Sequence, residues 1–244
     1  MLRRYVSNWL PLLITYLLTS NTTTARFKDG YTTKVSKSDF KEFYGYLYSC
    51  YLTEKGFKIN RETNSVTTPQ GMTIELPHLL FLFWIDEAYM MHIYGNQDLT
   101  GRIVIDAGAS VGDTAIYFLT RGAQHVYGFE IDPKHYAMAQ SNIKRNNLQD
   151  KITIFNEGAS AQHINELIRG QTNVFVKLDC EGCEYEVLPK LDLENVTDVV
   201  MEYHKEPQPL LSTLHRSGFH IKKHDGIIIN ATATDTIRAS DNKQ

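Results

Sequence analysis

From residue 102 to residue 231, short apolar runs alternate with helix-like stretches, and this alternation constrains the fold more than any other feature. Residues 103–105, 125–129, 151–155, 174–178 and 199–201 are the expected strands, and 112–119, 133–146 and 210–216 the expected helices. Pro133 suits a first helical turn, where its missing N–H is no loss. Strands separated by helices pair in parallel, because a parallel pair needs a long crossover. At the end, 219–223 and 227–231 flank Asp225-Gly226, a hairpin signal that adds antiparallel pairing. The expectation is a Rossmann-like α/β domain over 101–235 with a mostly parallel seven-stranded sheet and an antiparallel C-terminal hairpin. An α+β extension over 1–100, including a lid, would precede it, and a disordered tail over 236–244 would follow.

The extension is less regular. Asp29-Gly30 reads as the turn of a hairpin whose second strand is 31–35. Ser38 could cap a helix running to Tyr51, with Phe40, Phe43, Tyr44 and Leu47 on one face. Residues 59–66 and 72–76 read as two strands around Pro69-Gln70-Gly71, and the aromatic run 79–93 as a buried helix or lid. The apolar run 10–18, preceded by Arg3-Arg4, is about half a membrane span long. It contains Pro11 and has no small-x-small site after it, so a short amphipathic helix packed on the domain is expected rather than stable membrane insertion. Of three cysteines, Cys180 and Cys183 form a C-x-x-C with no second metal-spaced pair, so reduced thiols in a cytoplasmic protein, with no metal site, are expected. A net charge of −3 makes a strongly basic nucleic-acid surface unexpected.

The chemistry centres on Ile105-Asp106-Ala107-Gly108-Ala109-Ser110-Val111-Gly112-Asp113-Thr114. A strand ends in an acid, turns through glycines and enters a helix whose free N–H groups favour a carboxylate or phosphate. Glu130 closes the next strand, where an acid can accept both hydroxyls of a ribose. A dinucleotide fingerprint needs G-x-G-x-x-G, and Ser110 stands where its second glycine would be. Asp106 beside the loop is awkward for a pyrophosphate and suitable for an ammonium and sulfonium ligand. After the fourth strand comes Lys177-Leu178-Asp179-Cys180-Glu181-Gly182-Cys183-Glu184, and the fifth ends in Glu202-Tyr203-His204. Both lie at the carboxyl edge of the sheet, where open α/β sheets bind ligands.

Together these segments resemble the FkbM family of methyltransferases over about residues 101–231: D-A-G-A-S-V-G-D-T-A from Asp106, G-F-E ending at Glu130, K-L-D-C-E-G-C-E from Lys177 and M-E-Y-H ending at His204. The resemblance implies a class I methyltransferase fold, S-adenosyl-L-methionine as donor, and a hydroxyl on a small molecule or sugar as acceptor. It implies that Asp106, Gly108, Ala109, Ser110, Gly112, Asp113 and Thr114 hold the methionine end of the donor. Glu130 and Ile131 would hold the ribose edge, and Asn156, Glu157 and Gly158 would lie near the adenine. Asp179 and Glu181 would line the transfer site, and His204, titrating near neutrality, is the first candidate for the base. Asp132 departs from the small or apolar residue of many members. Rival readings are an NAD-dependent oxidoreductase and a catalytically silent protein that keeps the adenosyl pocket.

Overall fold

The computed structural model describes residues 1–19, 21–37 and 40–234. The chain divides into two compact units, Met1–Glu87 and Ala88–Gln244, so residues 88–100 group with the sheet rather than with the extension. Ser38 and the tail 236–244 lie outside the described residues. Among the described residues, no helix is long and apolar enough to cross a membrane.

The first unit opens with α1 (Leu2–Tyr5) and α2 (Trp9–Leu18), followed by the hairpin β1 (Thr23–Arg26) and β2 (Thr32–Val35). Asp29 shapes the hairpin turn: one carboxylate oxygen accepts from the Tyr31 N–H at 3.1 Å and the other from the Tyr46 hydroxyl at 2.6 Å. Helix α3 (Lys41–Glu54) buries Phe43, Tyr46 and Leu47 against Phe27 and Val35, while Phe40 and Tyr44 stay exposed. The expected strand 59–66 is instead a hairpin of β3 (Lys58–Asn60) and β4 (Ser65–Thr67), with β5 (Thr73–Glu75) pairing β4. Asn60 Oδ1 accepts from the Glu62 and Thr63 N–H groups, and that side-chain turn breaks the run. The aromatic run divides into a 3-10 turn (Leu79–Phe81), α4 (Leu82–Ile85) and a π turn (Asp86–Met90). Leu79 to Ile85 are apolar without a break before Asp86 and Glu87, so no stripe of helical spacing singles out one side for burial. Helix α2 forms as expected, but it buries only Leu12; Leu10, Leu13, Ile14, Leu17 and Leu18 are exposed.

In the second unit the chain runs β6 (Ile103–Ala107), α5 (Asp113–Thr120), β7 (His125–Phe129), α6 (Pro133–Arg145), β8 (Ile152–Phe155), α7 (Ala161–Ile168) and β9 (Val174–Leu178). It continues through α8 (Glu184–Val187), β10 (Val196–Glu202), α9 (Gln208–Arg216), β11 (Phe219–Asp225) and β12 (Ile228–Ala233). The sheet order is β11-β12-β10-β9-β6-β7-β8. The five strands β6 to β10 pair in parallel, and β12 is antiparallel to both its neighbours. This is the Rossmann-like class I methyltransferase fold. The sheet buries both faces, so β9 reads Val174-Phe175-Val176-Lys177-Leu178 with every residue buried. Helix α7 escapes the sequence reading although its signals are present: Ser160 accepts from the His163 N–H, and Ile164 and Ile168 face the core. From β6 the chain winds to β7 on one side and later returns to β9 on the other. The crevice at their carboxyl ends is therefore a topological switch point, where such sheets take ligands.

Arg102, just before β6, ties the opposite end of the sheet together. It donates to the carbonyls of Asn173 and Val174, to Thr197 and, at 2.8 Å, to Asp198 on β10. Burial pushes the Asp198 carboxyl up, but the Arg102 hydrogen bond and charge outweigh it and hold the group below the usual carboxylate range. A depressed carboxylate stabilises the fold above its unfolded pKa, and that contribution is lost as pH falls through the folded value. Arg102→Met should cost about 3 kcal/mol at neutral pH, the lower end for a broken buried pair because Lys222 still lies 3.3 Å from Asp198. Urea unfolding should show the deficit shrinking towards acid pH as Asp198 protonates. A deficit that does not change with pH would rule out this account.

Candidate functional site

The site is organised by a charge inside a strand. Lys177 lies in β9, whose other residues are apolar, and it is almost wholly buried. Its ammonium donates to Asp106 Oδ1 at 2.9 Å, across the β6–β9 junction, and to the Gly108 carbonyl at 2.9 Å. The other Asp106 oxygen accepts from the Thr114 hydroxyl at 2.6 Å, and no part of Asp106 reaches solvent. Burial disfavours the Lys177 ammonium, yet Asp106 and Asp179 outweigh that and raise its pKa. Asp106 and Thr114 thus tie the loop to the core and present nothing outward; what they do is position the turn. Lys177 stood in the sequence motif without a role. The available signal was its position, since a lysine in a fully buried strand must be paired.

Gly108 adopts φ +82°, and a Cβ on it would lie 1.8 Å from the Asp179 carbonyl oxygen. The sequence reading reserved this glycine for the approach of a ligand; the group that approaches is the backbone after β9. The N–H groups of Gly108 and Ala109 both donate to the Phe129 carbonyl. Ser110, at φ +45°, turns its N–H to Glu130 Oε2 at 2.8 Å. Glu130 Oε1 accepts from the Asp132 N–H at 2.7 Å, so the carboxylate is fixed at the mouth of the Gly108 turn. The Ser110 hydroxyl oxygen is buried and has no hydrogen-bond partner. Asp132, the departure noted above, caps α6 by accepting from the Lys134 and His135 N–H groups. Gly112 starts α5 in the left-handed region, and Asn142 of α6 holds the loop through the Val111 carbonyl at 2.9 Å. Burial pushes the Asp113 carboxyl up to about 7, with Asp106 adding to the shift and Lys177 opposing it.

Beyond Glu130, Ile131 is 74 % exposed, and its Cδ1 lies 3.6 Å from where a Gly158 Cβ would be. Asn156 Nδ2 donates to the Glu130 carbonyl at 2.9 Å, joining the ends of β7 and β8. Glu157 pairs with His163 at 2.5 Å. Ile131, Asn156, Glu157 and Gly158 therefore fall just past the ends of the neighbouring strands β7 and β8.

Past β9, Asp179 Oδ2 accepts from the buried Tyr94 hydroxyl at 2.6 Å and lies 3.8 Å from Lys177. Burial and the charge of Asp179 push the Tyr94 hydroxyl pKa far up, so Tyr94 serves as a donor. Glu184, with no exposed surface, accepts from Gly182 N–H at 2.9 Å through one oxygen. Its other oxygen accepts from His204 N–H at 3.2 Å and from His204 Nδ1 at 3.0 Å. The His204 Nε2 then faces Glu181 at 3.4 Å and Glu202 at 3.8 Å. Burial lowers the His204 pKa, but the Glu184 hydrogen bond and the three carboxylates raise it on balance. Burial and Asp179 raise Glu202. Tyr94 and Glu184 were not assigned from sequence, because their partners are 85 and 20 residues away.

Cys180 and Cys183 are joined in a disulfide, which corrects the expectation of reduced thiols. The turn between them, with Glu181 at φ +58° and Gly182 at φ +117°, brings the two Cα atoms to 5.4 Å, within bonding geometry. The argument for a reducing compartment falls with it. Two groups have metal-compatible spacing among the described residues: Cys180, Cys183 and Glu184, and Asp179, Glu202 and His204. In the first the sulfurs are spent on each other. In the second each side chain already has a hydrogen-bond or charge partner.

Known proteins match this chain in part. A family model, Ribosomal protein L11 methyltransferase (PrmA), matches residues 82–176. The ribosomal protein L11 methyltransferase of Photobacterium profundum is 37 % identical over 76 residues, 31 % of this chain and 23 % of that protein. Uncharacterized protein 65 of Sulfolobus islandicus filamentous virus is 33 % identical over 93 residues, 38 % of this chain and 54 % of that protein. This chain covers less than two thirds of either curated relative. Among solved structures, a putative rRNA-methylase from Clostridium thermocellum is similar at 16 % identity, covering 62 % of this chain and 97 % of that one, with a TM-score of 0.47.

The buried pair gives the site's own test. Lys177→Met should destabilise the chain by about 3–5 kcal/mol, because Asp106 is left charged and buried. Adding Asp106→Asn should recover part of that loss, with a coupling energy of about 1–3 kcal/mol in a double-mutant cycle. Strictly additive losses would mean that the two side chains do not act as a pair.

Proposed function

We propose that the chain is an S-adenosylmethionine-dependent methyltransferase that methylates a hydroxyl on a small molecule or saccharide, in the manner its FkbM resemblance implies. One observation carries the reading: Glu130 is fixed against the Ser110 N–H at the mouth of the turn beside the switch point. The two oxygens of Glu130 hold one backbone N–H each, and a carboxylate has lone pairs to spare for two ribose hydroxyls. Ser110 offers a buried hydroxyl with no internal partner, and the exposed Ile131 beside Gly158 offers an apolar face for a purine. The residues present therefore fit this donor. A dinucleotide fits less well, since Ser110 replaces the glycine that would meet a pyrophosphate and the surroundings are acidic. The matched stretch 82–176 contains this donor half and ends before Lys177. The acceptor is therefore read from the chain's own residues.

When bound, S-adenosylmethionine supplies an activated methyl group, and the protein has to align an acceptor and take its proton. His204 Nε2 is the atom for that proton. Glu184 orients the ring through Nδ1 and stabilises the imidazolium that results, as a buried carboxylate does for a general base. Asp179, held by Tyr94, and Glu181 are placed to orient the acceptor hydroxyl. Asp179, Glu181, Glu184 and Glu202 make this edge acidic. Such an edge repels a polyanionic nucleic acid and accepts a neutral hydroxyl compound.

Titration calorimetry should detect S-adenosylhomocysteine and not NADH, and Glu130→Ala should weaken the uptake by about 1.5–3 kcal/mol, the worth of hydrogen bonds to a charged group. Absence of any uptake would end the proposal. His204→Ala should lower kcat by about 10²-fold or more while product affinity stays within twofold. A base must be deprotonated, so kcat/KM should rise with pH through the elevated His204 pKa. Glu184→Gln should move that inflection to lower pH, a shift that loss of structure alone would not produce. Tight donor binding without transfer to a panel of hydroxyl acceptors would favour the silent-binder reading.

A further inference from the structure

Helix α2 presents its apolar stripe to solvent. Leu10, Leu13, Ile14, Leu17 and Leu18 recur at i, i+3, i+4, i+7 and i+8, the spacing with which a surface helix ordinarily faces a core. Here that side is open, from 37 % exposed at Leu13 to 78 % at Leu18, and only Leu12 is buried. Leu13 and Leu17 continue into an apolar cavity of about 400 Å³ that Met1, Leu2, Phe43 and Tyr44 also line. Contiguous apolar surface of this kind marks a place where something docks.

The charge of the segment that carries the stripe selects the occupant. Residues 1–37 carry six Lys or Arg side chains, Arg3, Arg4, Arg26, Lys28, Lys34 and Lys37, against the single acid Asp29, in a chain whose net charge is −3. All six basic residues are exposed. Of the acids on α3, Glu54 is paired with Arg4 at 2.5 Å, and Glu42 takes the Tyr31 hydroxyl and shares a cavity with Lys34. A second copy of the chain would bring the same basic patch against itself, since a two-fold interface joins identical surfaces, and like charges oppose it. Anionic headgroups complement the patch, and acyl chains complement the stripe. Ten helical residues span about 15 Å, half the hydrocarbon thickness, so the helix can lie in the interface and cannot cross it.

We infer that α2, with the exposed basic residues of the same segment, docks reversibly on an anionic lipid bilayer, its apolar stripe seated at the headgroup–acyl boundary. Binding of this type adds buried apolar area to electrostatic attraction, so both parts can be removed separately. The full chain should co-sediment with vesicles of phosphatidylcholine and phosphatidylglycerol, and much less with phosphatidylcholine alone. Raising the salt should weaken it, because the headgroup attraction is screened. Arg3→Gln should lower the partition coefficient about fivefold, the contribution of one basic residue near such a surface. Leu17→Glu with Leu18→Glu should abolish binding while the thermal transition is kept, since both side chains are already exposed. Three results would overturn the inference: wild type left in the supernatant with anionic vesicles, binding unaffected by the leucine changes, or a concentration-dependent dimer that those changes dissociate in place of vesicle binding.

Discussion

The ion pair of Lys177 and Asp106 is the interaction on which the rest of the site depends. It joins the first strand of the sheet to the strand on the far side of the switch point, inside a sheet covered on both faces. Two buried charges in such a place cost several kcal/mol each in lost hydration, and only full hydrogen bonding offsets that. Asp106 takes Lys177 on one oxygen and Thr114 on the other, and Lys177 adds the Gly108 carbonyl. Each partner belongs to a different part of the cradle: the strand end, the turn and the first helical turn. A hydrophobic pair of the same volume could hold two strands together, but it could not direct the Gly108 carbonyl or orient α5. The pair is thus better understood as a device that fixes the turn than as a source of stability.

The consequences run outward in two directions. On one side the fixed turn aims the Ser110 N–H at Glu130, and Asn156 ties the next strand end to the same place. On the other side Gly108 lies so close to the Asp179 carbonyl that any Cβ would push the β9 loop away. Asp179, Tyr94 and the disulfide-closed turn after it are therefore set by the same contact that sets the donor cradle. The stretch matched by the family model ends at residue 176, and Lys177, which forms the junction with Asp106, follows it directly.

That junction also explains what the sequence disclosed. The strand-to-helix loop, Glu130 and the seven-strand pattern were legible because their demands are local: an acid at a strand end, a residue without a Cβ, short apolar runs between helix-like stretches. Lys177 and Asp106 are separated by 71 positions, and no local pattern links them. Glu184 stands at the end of the segment after the fourth expected strand, yet only the fold shows that it is buried beneath His204, whereas Glu181 is open to solvent. Helix α7 was legible and overlooked, with Ser160 at its cap and Ile164 and Ile168 at core spacing. The exposure of α2 could not be read, because its 3.6-residue period reports an apolar face without reporting what that face meets. The disulfide was misjudged for a related reason: the count of cysteines is a statement about compartments, while the left-handed Glu181 and Gly182 are a statement about this turn.

The balance of charge around the cradle bears on turnover as well as on binding. Asp106 and Asp179 stand near one buried cation, Lys177, and burial pushes the Asp113 carboxyl up to about 7. The region is therefore electronegative, and adding a further full charge at Asp113 is resisted by Asp106 itself. A donor carrying a sulfonium is one positive charge richer than its demethylated product. An electronegative, partly buried cradle favours the first over the second by Coulomb attraction alone. On this view the carboxylates do two things at once. In the proposed reaction they would help retain the cation until transfer, and they would remove part of the reason for the product to stay.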